Sequence, residues 1–227
     1  MEKTKLKTKR DYYWVTPLSI PSDVLDINKL LIFSRKLMTK QKRVQISKEA
    51  YKERYGESEI GIKYWDLKLP EVDNQTVNDL AVWIEENYGL PINYDGSYVS
   101  ILELNEGDTL PAHMDPYEVQ SGSIIVQLIG GFRLKLGPAS VGDHGKYYDE
   151  YLQTEHDSKD KILDEIEYHP SDAIVLNNAQ YIHSGETTDD YKLSLLFSID
   201  PKFDLNRWSH ERSGKILSLI HISEPTR

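Results

Sequence analysis

The chain reads as a mainly β, α+β fold: an antiparallel sandwich or barrel with helices packed outside it. Three observations lead there. Eight short strand-like runs follow one another after "GLPINYDG" with no helix between them. Apolar residues at helical spacing are confined to the stretch before Gly89. A hydrophobic content of 39%, with 15 tyrosines and 4 tryptophans in 227 residues, is that of a globular chain rather than a disordered one.

From the N-terminus, "MEKTKLKTKR" is expected to be a solvated basic tail. "IPSDVLDINKLLIFSRKLM" predicts a helix over Asp23 to Met38, capped by Ser22 or Asp23, with Val24, Ile27, Leu30, Leu31 and Leu37 on one stripe. A shorter helix over Lys48 to Tyr55 would stop at Gly56, and "IGIKYWDLKLP" predicts a strand from Ile60 to Leu69. "DNQTVNDLAVWIEENYG" is the clearest helix: Asp73 or Asn74 caps it, Val77, Leu80, Ala81, Ile84 and Tyr88 align, and Gly89 ends it. The strand-like runs are "SYVSILELN", "TLPAHMD", "SGSIIVQLIG", "GFRLKLG", "KILDEIEYH", "DAIVLNN", "YIHSG" and "YKLSLLFSID". A polar, tyrosine-rich insertion from Pro138 to Asp160 interrupts them and is too long for a hairpin turn. The last eleven residues, "LSLIHISEPTR", resemble the translation of a sequencing-library adapter and are set aside.

Composition narrows the function. A net charge of −10 argues against a broad nucleic-acid surface. The absence of cysteine removes disulfides, thiolate metal sites and cysteine nucleophiles. No secretory leader and no long apolar run is present, so an intracellular, cytoplasmic protein without a membrane span is expected.

The motif that invites chemistry is "LPAHMDPYE". His113 and Asp115 are two apart, and on a strand such residues share a face, so imidazole and carboxylate can converge. Alone, the pair equally describes a surface histidine beside a turn-capping aspartate. Its weight comes from "YIHSGETTDDYKLSLLFSID", where His183 heads a strand and Lys192 follows at +9, with Ser194 two further on. Two histidines and one carboxylate make the facial triad of non-haem Fe(II) sites, with positions left open. His144, His156, His169 and His210 lie in polar or turn-like settings, Asp172 and Asp189 read as turn residues, and Trp65 and Trp83 read as packing residues.

Together these residues resemble the Fe(II)/2-oxoglutarate-dependent dioxygenases, in which His-x-Asp/Glu is followed by a distal histidine and a basic residue about ten positions later. The resemblance spans Tyr98 to Asp200 and includes the lead-ins "YVSILELNEGDTLPAHMD" and "EYHPSDAIVLNNAQYIHSG", similar to prolyl hydroxylase-like members. It implies a double-stranded β-helix, a jelly-roll of cupin-like type, over residues 96–205. Residues 1–95 would be a helical support region and 206–216 a tail, with 217–227 the adapter translation. It implies iron on His113, Asp115 and His183, and 2-oxoglutarate held by Lys192 with Ser194. Many members carry arginine where Lys192 stands, so the charge is kept and the bidentate fork is lost. "HMDPYEVQSGSIIVQLIGGFRLKLG" also resembles JmjC and cupin-like hydroxylases, a reading in which Arg133 is the anchor; Tyr98 is a further candidate for the same carboxylate. The implied reaction consumes O2 and 2-oxoglutarate, with ascorbate as a reductant. It hydroxylates an amino-acid side chain, free or peptidyl, of prolyl or aspartyl/asparaginyl type. The alternatives are a cupin-like isomerase or hydrolase, which needs no cation after the distal histidine, and a non-catalytic β-sandwich that binds no metal.

Overall fold

The computed structural model describes residues 15–40, 44–45, 63–67, 74–95, 98–113, 115, 120–139, 164–179 and 181–212. In chain order the elements are β1 (Val15–Leu18), α1 (Ile27–Lys40), β2 (Val44–Gln45), β3 (Lys63–Leu67), α2 (Gln75–Tyr88), β4 (Val99–Asn105) and β5 (Thr109–His113). They continue with β6 (Gly122–Ile129), β7 (Phe132–Ala139), β8 (Asp164–Tyr168), β9 (Ala173–Leu176), β10 (Tyr181–Thr187) and β11 (Tyr191–Ile199). A last helix, α3, covers residues 205–212.

The strands form two sheets, a seven-stranded one in the order β1-β9-β6-β11-β4-β3-β2 and a four-stranded one in the order β5-β10-β7-β8. Every recorded strand pairing is antiparallel. From β4 to β11 the chain passes back and forth between them, with β7 and β8 forming a consecutive pair in the small sheet: β4, β6, β9 and β11 lie in the large sheet, β5, β7, β8 and β10 in the small one. This exchange between two sheets is jelly-roll-like.

The two faces of the large sheet explain why its strands do not alternate apolar and polar. One face packs against Leu30 and Phe33 of α1 and Val77, Leu80 and Ile84 of α2, through Ile101, Ile124, Val126, Leu195 and Phe197. The other shares a buried cluster with the small sheet, where Leu104, Ile125, Ile174 and Leu176 meet Phe132, Leu134, Ile166 and Tyr168. A strand covered on both sides reads as one apolar run, as "GSIIVQLI" does. The small sheet is covered on one side only, so β8 alternates: Glu165 exposed, Ile166 buried, Glu167 half-buried, Tyr168 buried. Its outer face carries the charges, with Arg133 3.1 Å from Glu186 and 3.3 Å from Glu165.

Caps account for the helix limits. Asn74 Oδ1 accepts the Val77 N–H at 3.2 Å, and Gly89, with φ 64°, closes α2 by donating to the Glu85 carbonyl. The start expected at Asp23 moves to Ile27. Residues 22–24 form a turn in which Leu25 donates to the Pro21 carbonyl, and Asp26 takes the cap by accepting the Lys29 N–H at 3.1 Å. The strand expected over Ile60 to Leu69 is described at Lys63–Leu67, while the helix expected over Lys48–Tyr55 lies outside the described residues. So does most of the Pro138–Asp160 insertion.

Three elements were not anticipated, the two-residue strand β2 among them. β1 is a four-residue edge strand on β9, where Pro17 is tolerated because an edge strand has one side unpaired. α3 falls in the stretch read as a polar tail. Asp204 caps it through the Arg207 N–H, Leu205 is buried, and Trp208 donates from Nε1 to the Tyr88 carbonyl at 2.8 Å, docking it on the end of α2. No described helix is long and apolar enough to cross a membrane.

Candidate metal centre

β5 ends on His113, and the antiparallel pairing with β10 sets His183 directly opposite it. Opposed residues in such a pair occupy the same face of a sheet. For His183 that face is the interior. The β10–β7 register matches His183 with Leu136 and Gly185 with Leu134, which belongs to the inter-sheet cluster, and His183 is 3% exposed. Both pairings of β10 are irregular beside His183, and bulges of this kind commonly re-aim a side chain at a functional site.

Asp115 lies just past the end of β5. Its N–H donates to the Asn178 carbonyl at 2.9 Å. Its carboxylate Oδ2 accepts from Gln120 Nε2 at 2.9 Å and from Asn178 Nδ2. Asn178 Nδ2 also donates to Ser123 Oγ at 2.8 Å. The carboxylate is therefore held in one orientation, as a ligand group must be if it is to meet an ion without reorganising. Among the described residues no group of three or more His, Asp or Glu side chains is close enough to hold a metal; the side chain of His113 lies outside that description.

Lys192 opens β11 opposite Leu104 and projects into the inter-sheet cluster. It has no solvent exposure, and among the described residues its Nζ has no hydrogen-bond partner. The amine sits 3.9 Å from the centroid of the Phe132 ring and 5.9 Å from that of Tyr168. Loss of water drives its pKa down to about 7. The same burial pushes the Tyr168 hydroxyl well above the usual phenol range, so the lysine's neighbour is neutral. Buried charges in folded proteins are normally paired; this amine is an orphan, and a carboxylate is the group that would complete it.

Ser194 shares the face of Lys192, but its hydroxyl donates to Gln127 Oε1 at 2.5 Å. Gln127, fully buried, in turn donates to the carbonyls of Ile129 and Gly130, tying β11 to the turn between β6 and β7. Ser194 thus braces the strand that carries Lys192. Arg133 and Tyr98 are not brought to the space between the two sheets. Arg133 stands on the outer face of the small sheet in its ion pairs with Glu165 and Glu186. Tyr98 is buried in the helix-side core, its ring against Phe197 and its hydroxyl donating to Asn78 Oδ1 at 3.1 Å. Asp172 and Asp189 accept backbone N–H groups of His169 and Gly131, as turn residues do. Trp65 is buried in the helix-side core and Trp83 packs against it.

Sequence reasoning passed over Asn178, Gln120, Gln127 and Phe132. "VLNNAQ" offered a signal, because two consecutive asparagines ending an apolar strand next to a candidate ligand call for buried partners. The contacts themselves cross 63 and 67 positions of chain, beyond any local pattern.

No family model matches the chain, and no curated protein does. Among solved structures it is similar to the non-heme alpha ketoglutarate dependent epimerase SnoN from nogalamycin biosynthesis. That match has a TM-score of 0.49 and 14% identity, and covers 85% of this chain and 82% of that one. A prolyl-4-hydroxylase from Pseudomonas putida is similar with a TM-score of 0.48 and 11% identity over 82% of this chain and 91% of that one. SnoN in complex with Fe3+, alpha ketoglutarate and nogalamycin RO gives a TM-score of 0.48 at 14% identity, over 85% of this chain and 83% of that one.

Proposed function

We propose that this chain is an Fe(II)- and 2-oxoglutarate-dependent oxygenase built on a double-stranded β-helix, and that it hydroxylates an amino-acid side chain, free or peptidyl. The observation that carries the reading is Lys192: a fully buried amine with no hydrogen-bond partner among the described residues, facing the same inter-sheet interior as the buried His183 of the opposite sheet. His183 and the ring beneath Lys192 are spaced along one strand pair. His183 is matched with Leu136 and Thr187 with Phe132, four residues or roughly 13 Å of strand apart. A short dicarboxylate suits that separation, with its far carboxylate on Lys192.

His183, Asp115 and His113, the last by its register opposite His183, are the residues that would hold the ion. Iron and 2-oxoglutarate, when bound, supply the oxidising chemistry: O2 and 2-oxoglutarate are consumed, succinate and carbon dioxide leave, and one oxygen atom enters a C–H bond of the substrate. The chain's own residues bind and orient. Asn178 and Gln120 hold the Asp115 carboxylate, Phe132 and Tyr168 keep water from the lysine, and Gln127 and Ser194 brace its strand. No protein general base is needed. A cupin-like isomerase or hydrolase would share the metal ligands but leave the orphan amine without a task.

The test is calorimetric titration of 2-oxoglutarate into Mn(II)-loaded protein, with succinate release measured under Fe(II) and O2. Metal-dependent binding of the diacid is the expected result. Absence of binding with and without metal would sink the reading.

A further inference from the structure

We propose that Asn178 and Gln120 are positioning residues for the metal carboxylate: together they hold Oδ2 of Asp115 and so set the orientation in which the carboxylate meets the ion. The inference rests on the metal reading above and deepens it.

Asn178 holds Asp115 twice, accepting its backbone N–H at the carbonyl and donating Nδ2 to its carboxylate. It lies five positions before His183, in the turn that leads from β9 to β10, so the segment that delivers the distal histidine also delivers the clamp. Gln120, just ahead of β6, brings a second N–H to the same oxygen. Two donors on one oxygen fix rotation about the Cβ–Cγ bond and draw the carboxylate's charge toward Oδ2. Both amides are buried, at 2% and 9% exposure, so water does not compete for them.

The choice of residue supports a functional origin. Among the described residues Asn178 Oδ1 is buried without a hydrogen-bond partner, while the donor half of the amide is fully used on Asp115 and Ser123. An aspartate at 178 would set two carboxylates against each other, and a leucine would fill nearly the same volume with no donor. Ser123 Oγ accepts the amide's other hydrogen, which fixes the side chain's orientation.

The experiment uses the full chain and Co(II) alone as the probe, comparing wild type with Asn178→Leu and Gln120→Leu. Partners of metal ligands typically contribute about 10- to 100-fold in metal affinity. Both variants are expected to bind Co(II) more weakly by that order, with altered visible absorption as the carboxylate changes how it meets the ion. Metal-free melting of Gln120→Leu should stay near wild type. Should Asn178→Leu fail to fold, Gln120→Leu decides, because it leaves the backbone bond between Asp115 and Asn178 in place. Wild-type affinity and an unchanged spectrum in the folded variants would overturn the positioning role alone. A wild type that binds no Co(II) would overturn the metal reading and this inference with it.

Discussion

The two faces of β11 take one strand through two different interiors. Toward the helices it presents Leu193, Leu195, Phe197 and Ile199, each fully buried and each apolar. Toward the small sheet it presents Lys192, Ser194, Leu196 and Ser198, of which Lys192 and Ser194 are just as inaccessible. Equal burial therefore has unequal meaning. The helix-side face loses nothing by leaving water, whereas the inner face strips water from an amine and, among the described residues, sets it against the rings of Phe132 and Tyr168. One interior is uniformly apolar, and the other holds a buried amine that the proposed diacid would pair.

Lys192→Met tests that contrast hardest, because it should move stability and binding in opposite directions. Methionine nearly matches the lysine's volume and removes an unpaired polar group, so the ligand-free protein should melt at a higher temperature. A diacid that loses this buried cationic partner is left uncompensated at a cost of about 3–5 kcal/mol, and 2-oxoglutarate affinity should fall by roughly a hundredfold or more. Differential scanning fluorimetry and titration calorimetry measure the two. A lower melting temperature with unchanged affinity would make Lys192 an ordinary core residue.

Phe197→Ala is the converse change on the opposite face. Its ring packs fully buried in the helix-side core and meets Tyr98 edge-on at 6.1 Å. Removing it should cost about 3–5 kcal/mol of unfolding free energy, read by denaturant titration. Diacid affinity under folded conditions should stay close to wild type. If affinity fell as steeply as stability, the two interiors would be one coupled unit.

The division between faces is also where the sequence was most and least legible. The helices with their Asn74 and Gly89 signals and the succession of β-runs followed from periodicity and turn chemistry, because both act over a few residues. The candidate ligands were picked out because His113, His183 and Lys192 stand out as residue types on apolar strands. Which way a basic residue points was not. Lys192 and Arg133 occupy similar alternating patterns, and only the sheet order decides that one faces the interior and the other faces Glu165 and Glu186. Tyr98 misled for the same reason: one step of register separates the two faces of the large sheet. α3 was missed because its short polar sequence gains its order from docking Leu205 and Trp208, a tertiary effect.

A pH series sharpens the inner face further. Burial sets the Lys192 amine at about 7 in the ligand-free protein, against 10.5 for a free lysine. The groups around it are Phe132 and Tyr168 from the small sheet, Leu104 from β4 and Gln127 from β6, with His183 further along β10. Glu165, Glu186 and Arg133 lie on the outer face. Below pH 7 the amine is already charged and diacid affinity should be flat with respect to this group. Above 7 each binding event must take up a proton, so affinity should drop by up to tenfold per pH unit. The sign for stability is the reverse. The unfolded lysine keeps its proton up to about 10.5 while the folded one releases it near 7, so this group destabilises most below pH 7 and the penalty fades as pH rises between the two. Lys192→Arg stays protonated throughout and should abolish the pH dependence of whatever affinity it retains. Calorimetry in buffers of differing ionisation enthalpy counts the proton directly, and zero uptake at pH 8 would contradict the assignment.

The smallest effect is expected from Arg133→Ala, and its smallness is what makes it informative. Arg133 satisfies the composition of a diacid anchor as well as Lys192 does, yet its side chain is 38% exposed and its guanidinium is shared between two glutamates. Ion pairs that open to water contribute about 0–1 kcal/mol, because solvent and salt already screen them. Truncation should therefore shift the melting temperature only slightly and leave 2-oxoglutarate affinity unaltered, while Glu165 and Glu186 turn to solvent. An affinity loss on the scale expected for Lys192→Met would move the anchor from the large sheet to the small one. The inner face of β11 would then be an unusually polar core and nothing more.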